Sequence, residues 1–263
     1  MTNLKMPALF VGHGSPMNAI EPENPFNQGF RQIAQTIEKP KAILMISAHW
    51  YIRGLQVTSA EQPDIIYDFY GFPDELYQVA YPAKGSPQLA ERVIQLLSDD
   101  GVTANAERGL DHGAWSVLKH LYPDADVPVV QLSIDKSKPA QWHYQLAKKL
   151  AVLREEGVLI MGSGDIVHNL GAIDWRNVNT LGAGYDWAVL FRDTINQAML
   201  NHQHDEIVHY EQFGEPARLS VPTPDHYLPL LYIMAITEKD DNIHLFNDEL
   251  VGGSISMTSV KVG

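Results

Sequence analysis

The chain has 263 residues, of which 45% are hydrophobic, with a formal net charge of −13 at pH 7 and no cysteine. That apolar content suffices for a substantial core, whereas the acidic charge argues against nucleic-acid or anionic-membrane partners, which need a basic surface. The lack of cysteine excludes disulfides, thiolate ligands and cysteine nucleophiles, so a bound metal would be held by histidine, carboxylate or water.

We expect neither a membrane span nor a signal peptide in this sequence. No apolar run approaches the roughly 20 residues of a membrane span. The first ten residues, MTNLKMPALF, lack the basic and apolar regions of a signal peptide. We therefore expect a soluble, cytoplasmic protein.

Strand patterns alternate with helix patterns along most of the chain. Short apolar runs bounded by turn residues predict strands, and apolar residues spaced three or four apart predict helices. In chain order the predicted elements are a strand at 8–12, a helix at 27–38, strands at 42–47 and 55–59, a helix at 87–97, a strand at 102–106, a helix at 115–121, a strand at 127–132, a helix at 139–156, a strand at 158–161, helices at 185–202 and 225–236, and closing strands at 244–246 and 254–262. No repeat or linker interrupts them. We expect a single α/β domain over residues 1–263, with a mixed β-sheet flanked by helices.

Three of the predicted strands lead into a histidine. His13 follows the first strand in GHGSP, His49 ends the run AILMISAHW, and His168 follows VLIMGSGDIV. Ligands of open α/β sheets bind beyond the carboxyl ends of the strands, where residues distant in sequence converge. Imidazole is the commonest protein ligand for transition metals. The pattern predicts a mononuclear metal site at the carboxyl ends of the central strands.

Each of these histidines, taken singly, also fits a structural role. His13 fits a turn histidine bonded to a nearby carbonyl, and His49 fits a capped strand end. The two together, on strands expected to be neighbours, favour the metal site. His168 fits either a metal ligand or a base held near the metal, with Asp165 and Asn169 as partners that would fix its tautomer.

Two further histidines lie at predicted helix starts. His112, in GLDHGAW, fits a residue that contacts substrate or oxygen, or a loop histidine held by Asp111. His226, in PTPDHYLPLL, fits a first-turn residue that points back toward the sheet edge, or one that faces solvent. The remaining histidines are interpreted as surface or structural residues: His120, His143, His202, His204, His209 and His244.

Several longer motifs occur in a characteristic order. They are GHGSP, SAHW, DHGAW, VHN and PTPDHYLPLL, together with DFYGFPDELYQVAYPAKG at 68–85, YPDADVPVVQLSID and GSISM. With these motifs the chain resembles, over residues 6–263, the class III extradiol ring-cleavage dioxygenases, in their 4,5-DOPA dioxygenase branch. One departure is Lys84, where the family phrase has proline.

The resemblance implies an oxidoreductase that opens a catechol ring and incorporates both atoms of O2. DOPA, cleaved at the 4,5-bond to a seco-DOPA or muconic semialdehyde, is the implied substrate. The resemblance implies one divalent metal per chain, with Fe(II) expected for turnover and Zn(II) as another bound ion. It assigns no nucleic-acid or membrane partner.

The resemblance also implies the roles of the histidines. His13, His49 and His226 match metal ligands, and His168 matches a catalytic base that approaches the metal when zinc is bound. His112 matches a residue that holds oxygen or substrate. Related enzymes that cleave protocatechuate use two histidines and a glutamate. Because His226 stands at the glutamate's position, this chain departs from that pattern.

Two other functions remain open at the level of sequence. Three histidines and an activated water would also suit a zinc-dependent hydrolase. A non-catalytic protein of the same fold could bind a ligand in the same cleft. A substrate carboxylate would need a cation, and the candidates are Arg53, Lys84 and Arg108.

Overall fold

An eight-stranded mixed sheet forms the centre of the molecule, which a computed structural model describes at residues 5–178 and 180–263. The strand order is β4-β3-β5-β2-β6-β1-β10-β7, and β8 and β9 pair separately. The strands are β1 Ala8–Gly12, β2 Ala42–Ile52, β3 Gln56–Thr58, β4 Thr103–Asn105, β5 Val129–Asp135, β6 Val158–Gly164, β7 Ile243–Phe246, β8 Leu250–Val251, β9 Ile255–Ser256 and β10 Ser259–Val262. This architecture confirms the predicted α/β class.

Helices cover both faces of the sheet. They are α1 Pro25–Ala34, α2 Pro87–Leu96, α3 His112–Leu121, α4 Ala140–Lys148, α5 Val152–Glu155, α6 Asp186–Leu200, α7 His204–Val208, α8 Glu215–Ser220 and α9 Leu228–Ala235. Along β1, Ala8 and Phe10 pack into one core while Leu9 and Val11 pack into the other, as strand alternation requires. α1 and α3 cover one face, and α2, α4, α6 and α9 cover the other. In the described part of the chain, no helix is long and apolar enough to cross a membrane.

Several helix starts follow from capping residues visible in the sequence. The Ser86 side chain accepts a hydrogen bond from the N–H of Leu89, with Pro87 at the first helical position of α2. The Asp111 carboxylate likewise accepts from the N–H of Ala114. This cap starts α3 at His112, earlier than the predicted start at 115, and so places His112 in the first turn.

The predicted long helix at 139–156 is wrong as a single element. It divides into α4 and α5 because the N–H groups of residues 149–151 bond to carbonyls three residues back instead of four. This tighter turn accompanies the complete burial of Leu150, Leu153 and Arg154. The Arg154 guanidinium pairs with the Asp241 carboxylate at 2.6 Å. Tertiary burial has therefore overridden the local helical period.

The C-terminal predictions also need correction. The predicted helix at 225–236 begins as a 3-10 turn, Pro224–His226, and continues as α9. The predicted closing strand at 254–262 divides into β9, which pairs with β8, and β10, which lies between β1 and β7. The short helices α7 and α8 were not predicted.

Four parallel strands, β5, β2, β6 and β1, bring their carboxyl ends to one edge. The expectation that the strands of His13 and His49 are direct neighbours is wrong, because β6 lies between them. The register of β2 on β5 is irregular, since Ile46 pairs with Leu132 and Tyr51 pairs with Ile134. β2 therefore bulges at residues 47–50, and such bulges re-aim side chains beside functional sites.

Candidate metal centre

The histidines singled out from the sequence lie together at the carboxyl edge of the central strands. The ring centroids of His13 and His49 are 4.9 Å apart, and those of His13 and His226 are 5.2 Å apart. His112 lies 3.9 Å from His49, and His168 stacks parallel on His226 at 3.5 Å, again between ring centroids. The structure thus gathers five imidazoles from distant parts of the chain into one cluster.

Two close backbone approaches hold the cluster in place. A Cβ on Gly164 would lie 2.1 Å from the carbonyl oxygen of His226, so only glycine lets the 3-10 turn dock on the end of β6. That carbonyl also accepts a hydrogen bond from the N–H of Asp165 at 2.9 Å. A Cβ on Gly113 would lie 2.9 Å from the Cδ2 atom of the His49 ring. Helix α3 can therefore pack directly against the bulge that carries His49.

The hydrogen bonds of His13 fix its tautomer. The Ser163 hydroxyl lies 2.6 Å from the carbonyl oxygen of Gly113, to which it donates. Its oxygen is then free to accept from His13 Nδ1, which is 3.1 Å away. His13 therefore carries its hydrogen on Nδ1 and a lone pair on Nε2.

The same logic applies to His226 and His49. His226 Nδ1 donates to the Asp225 carboxylate, and His49 Nδ1 lies 3.4 Å from a carboxylate oxygen of Asp68. Carboxylates accept hydrogen bonds, so both rings keep their lone pair on Nε2. The Nε2 atom of His49 faces that of His13 at 3.0 Å. Two facing lone pairs are unfavourable unless a cation lies between them.

The donor set fits a divalent cation. One ring nitrogen from each of His13, His49 and His226 lies within 4.8 Å of the others. His226 Nε2 is buried and has no hydrogen-bond partner within residues 5–178 and 180–263. A metal ion bound by these nitrogens would satisfy that orphaned acceptor.

Burial keeps these imidazoles neutral. It is the main cause that lowers the pKa of His13 and of His226 well below the usual value, and neighbouring histidines add to it. Burial likewise lowers the pKa of His49 and of His168 to about 4. Neutral imidazole is the form that binds a metal, so burial keeps these rings in the protonation state that a cation needs.

His112 is held by a residue that the sequence reasoning did not identify. Its Nδ1 lies 3.0 Å from Asp68 Oδ1, and its main-chain N–H donates to the same oxygen at 2.9 Å. Burial alone would raise the pKa of Asp68, but the hydrogen bonds and charge of His112 outweigh it and lower the pKa to about 2. Asp111, the partner considered from sequence, instead caps α3 and accepts from the Ser47 hydroxyl. The signal for Asp68 was its place in the motif at 68–85.

His168 has a different set of neighbours from the other strand-edge histidines. One of its ring nitrogens lies within 4.8 Å of ligand atoms from Asp165 and His226, and it does not share a group with both His13 and His49. Asn169, considered as its partner, donates instead to the carbonyl of Leu219 at 2.8 Å. His168 therefore lies against His226 and outside the group that His13, His49 and His226 form.

Asp165 is a deeply buried carboxylate beside the cluster, with 1% of its surface exposed. Its Oδ1 accepts from the N–H of Gly14 at 3.2 Å. Its Oδ2 lies 3.6 Å from His13 Nε2 and has no hydrogen-bond partner in the part of the chain that the structure describes. Burial raises the pKa of Asp165 well above its usual value. Burial therefore favours the protonated form of this carboxyl group.

The candidate cations lie outside the imidazole cluster. The Arg108 guanidinium donates to the main-chain oxygen of His49 at 3.2 Å and pairs with Asp111 at 3.3 Å. It also lies 5.4 Å from the centroid of the Trp50 ring. Arg53 and Lys84 are exposed. Arg108 is thus the cation most closely tied to the strand that carries His49.

The fold and the cluster together define an α/β protein with a buried imidazole site suited to a divalent metal. Residues 7–250 match the family described as the catalytic LigB subunit of aromatic ring-opening dioxygenase. The chain therefore belongs to this family of extradiol ring-opening dioxygenases, whose members act on catechols with O2 and a divalent metal.

Individual relatives agree with this assignment. The chain is 44% identical to a 4,5-DOPA dioxygenase extradiol of Escherichia coli (strain K12), over 100% of this chain and 97% of the relative. It is 38% identical to a 4,5-DOPA dioxygenase extradiol of Beta vulgaris, over 96% and 95%. It also resembles the crystal structure of an uncharacterized Escherichia coli K12 protein, with a TM-score of 0.83 and 40% identity, covering 98% of this chain and 100% of that one.

Proposed function

We propose that this enzyme opens a catechol such as DOPA by 4,5-extradiol cleavage with O2, giving a seco-DOPA or muconic semialdehyde product. The reaction would take place at a single metal ion held by His13, His49 and His226. Relatives that match nearly the full chain are named 4,5-DOPA dioxygenases, which supports this substrate class.

One observation carries the proposal. The Nδ1 atoms of the three histidines are engaged by Ser163, Asp68 and Asp225, which leaves three Nε2 lone pairs for a common cation. Hydrogen-bonded partners of this kind orient metal-binding imidazoles and raise their basicity. An ordinary structural histidine cluster would pair its ring nitrogens with one another or with main-chain groups, and it would not orphan a buried one.

Fe(II) is the proposed working metal, and Zn(II) would occupy the same ligands. When bound, Fe(II) polarises the catechol oxygens as a Lewis acid and supplies the redox chemistry that O2 requires, whereas Zn(II) supplies only the former. Because the three imidazoles are neutral, the site keeps the positive charge that favours a deprotonated catechol.

His168 is proposed as the residue that accepts a proton from a catechol hydroxyl. Burial keeps its ring neutral at neutral pH, and its parallel stacking on His226 fixes its plane. The nearby Asp225 carboxylate opposes the effect of burial on the pKa of His168, and would stabilise the imidazolium that forms. When zinc is bound, the same ring is proposed to act as a fourth metal ligand.

His112 is proposed to hold substrate or oxygen. Asp68 fixes the hydrogen on Nδ1, so Nε2 is left to accept or return a proton on the substrate side. The Phe69 ring stands edge-on to His112 at 5.5 Å between centroids, and restricts its rotation. This arrangement gives one oriented nitrogen beside the metal ligand His49.

We further propose that residues 1–263 act as one catalytic domain. The family match ends at residue 250. β10, at Ser259–Val262, nevertheless pairs with β1, the strand that leads into His13. The C-terminal strand would thus support the site directly.

The test is oxygen uptake by metal-reconstituted enzyme. Metal-free protein is loaded with Fe(II) without oxygen, then mixed with DOPA in air-saturated buffer, and a zinc-loaded sample serves as the control. We expect oxygen consumption, mole for mole with a yellow ring-opened product, in the iron sample alone. An iron-filled enzyme that consumes no oxygen with any of a panel of small catechols would contradict the proposal, as would an ester or amide hydrolysis that needs only zinc.

A further inference from the structure

We propose that Arg108 is a positioning residue, which acts through Asp111 and the main chain of β2 to hold His49 in its orientation. This inference rests on the proposed function, since it takes His49 to bind the metal. It assigns Arg108 a role other than binding a substrate carboxylate. It also gives a role to Asp111, a fully buried carboxylate beside the site.

His49 lies on the part of β2 that departs from regular strand pairing. Between two register pairs of β2 with β5, the four residues at 47–50 lie opposite the single residue Ser133. At a bulge the ladder of hydrogen bonds is locally disrupted and the strand bends. The direction of the His49 side chain therefore depends on the groups that hold the bulge.

Side chains hold both main-chain polar groups of His49. Its N–H donates to the Ser47 hydroxyl oxygen at 3.2 Å, and its carbonyl oxygen accepts from Arg108 Nη2 at 3.2 Å. The Ser47 hydroxyl in turn donates to Asp111 Oδ1 at 2.7 Å. Arg108 Nη2 also lies 3.3 Å from Asp111 Oδ2. Asp111 thus joins the two groups that hold His49, one through each of its carboxylate oxygens.

The Asp111 carboxylate is itself fixed by further donors. Oδ1 accepts from the N–H of Ala114 at 3.2 Å, and Oδ2 accepts from Gln131 Nε2 at 2.8 Å. A buried carboxylate is stable only when it is paired with a positive charge and hydrogen-bonded, and Arg108 supplies that charge. Loss of Arg108 would therefore loosen Asp111 and, through it, the bulge that carries His49.

The surroundings of the Arg108 guanidinium favour this role over a contact with substrate. Its Nε atom is buried, and the group lies 5.4 Å from the centroid of the Trp50 ring, which is itself buried. Both ways in which a guanidinium binds a carboxylate through two parallel N–H groups use Nη2. That nitrogen is already engaged by His49 and Asp111. Arg108 is therefore committed to the fold around His49.

The experiment compares wild-type enzyme with Arg108→Gln and Arg108→Lys. Glutamine removes the charge, whereas lysine keeps it but lacks the planar fork that reaches two acceptors. Affinity for Zn(II) is measured by competition with a chelator, and the visible spectrum of the Co(II)-loaded protein reports the geometry of the ligands. The matched control is Arg192→Gln, because Arg192 is also a largely covered arginine paired with an aspartate, Asp193.

We expect Arg108→Gln to raise the Kd for Zn(II) about tenfold and to change the Co(II) spectrum, because His49 no longer keeps its angle to the metal. Arg108→Lys should recover part of the affinity, and Arg192→Gln should match wild type in both measurements. In iron-loaded Arg108→Gln, kcat should fall while KM for DOPA stays within about twofold. A merely structural role would lower thermal stability but leave the Co(II) spectrum of the folded protein unchanged.

A second variant keeps the inference testable if Arg108→Gln does not fold. Ser47→Ala preserves the ion pair of Arg108 with Asp111 and removes the link from Asp111 to the N–H of His49. We expect it to weaken Zn(II) binding and to change the Co(II) spectrum in the same way.

The results that would overturn the inference are distinguishable from failure of the proposed function. A wild-type protein that binds no metal would overturn both. A wild type that binds one metal, with a variant whose Kd lies within about twofold and whose Co(II) spectrum is unchanged, would overturn the inference alone. If that variant is Arg108→Gln and its KM for DOPA rises about tenfold, Arg108 binds the substrate carboxylate instead.

Discussion

Asp68 joins two histidines that have different proposed tasks. Its Oδ1 accepts from His112 and its Oδ2 lies 3.4 Å from His49, so one carboxylate orients both a proposed metal ligand and a proposed substrate-side residue. The side chain is 20% exposed, which leaves it at the rim of the site. We infer that Asp68 is a positioning residue whose effect is transmitted through the two rings.

The variant Asp68→Asn tests this residue. The amide keeps the shape but can accept on one side only, so either His112 or His49 loses the partner that fixes its tautomer. We expect kcat to fall about 10–100-fold, the range measured when partners of metal-bound histidines are removed. Steady-state kinetics with iron-loaded enzyme measures it. Asp64→Asn, in an exposed part of the same loop, is the control and should leave kcat unchanged. Equal kcat values for Asp68→Asn and wild type would show that the contacts do not matter for turnover.

At the scale of single residues, the sequence predicted which histidines lie together but not that Asp68 and Ser163 are their hydrogen-bond partners. The histidines were visible because each follows a buried strand or starts a helix, which is a local pattern. Asp68 is separated from His112 by 44 positions, and no periodicity links them. The role of Ser163 depends on which way its hydroxyl points, and this follows from the approach of Gly113.

The packing of α4 on α9 buries a titratable residue away from the metal centre. His143 Nε2 donates to the main-chain oxygen of Asp135 at 3.1 Å, and its Nδ1 accepts from the Tyr232 hydroxyl at 2.9 Å. Burial lowers the pKa of His143 to about 4. The folded protein therefore holds this ring neutral at a pH where the unfolded chain, with an ordinary pKa of about 6.5, binds a proton.

This difference predicts a loss of stability in acid. The contribution of His143 to the free energy of unfolding is fully present above about pH 6.5. It is lost as the pH falls toward about 4, because only the unfolded state gains the proton. The loss amounts to about 3 kcal/mol in the free energy of unfolding. Denaturant unfolding of metal-free wild type and His143→Gln across this pH range measures it. The wild type should lose more stability than the variant, and parallel curves would show that His143 does not titrate as described.

The elements were predictable where a local pattern decides them. β1 begins and ends as predicted, because a short apolar run bounded by proline and glycine strongly favours a buried strand. The break between α4 and α5 was not predictable, since the packing that accompanies it includes contacts distant in sequence, such as that of Arg154 with Asp241. The bulge in β2 likewise depends on the register against β5.

The whole molecule brings the site together through its strand order. β6 lies between β2 and β1, so Asp165 stands between the histidines of the outer two strands, and the turn at His226 closes over the same strand end. The sequence predicts a mixed sheet with a site at one edge. It does not predict this order, because the arrangement of parallel strands is set by how the helices pack over both faces.

Net charge has its own consequence at this scale. A formal charge of −13 favours the approach of a cation and disfavours an anionic substrate. A catechol amino acid with no net charge is compatible with that field. The same field favours the binding of a divalent metal, which agrees with a proposed centre made of neutral imidazole ligands.

The most direct test of the account is anomalous X-ray diffraction from crystals of metal-saturated protein, recorded at the absorption edge of the bound metal. The account predicts one anomalous peak per chain, about 2.0–2.1 Å from a ring nitrogen of each of His13, His49 and His226 when zinc is bound. A saturated crystal with no peak in this cluster, or with its main peak at surface histidines such as His202 and His204, would contradict the central claim.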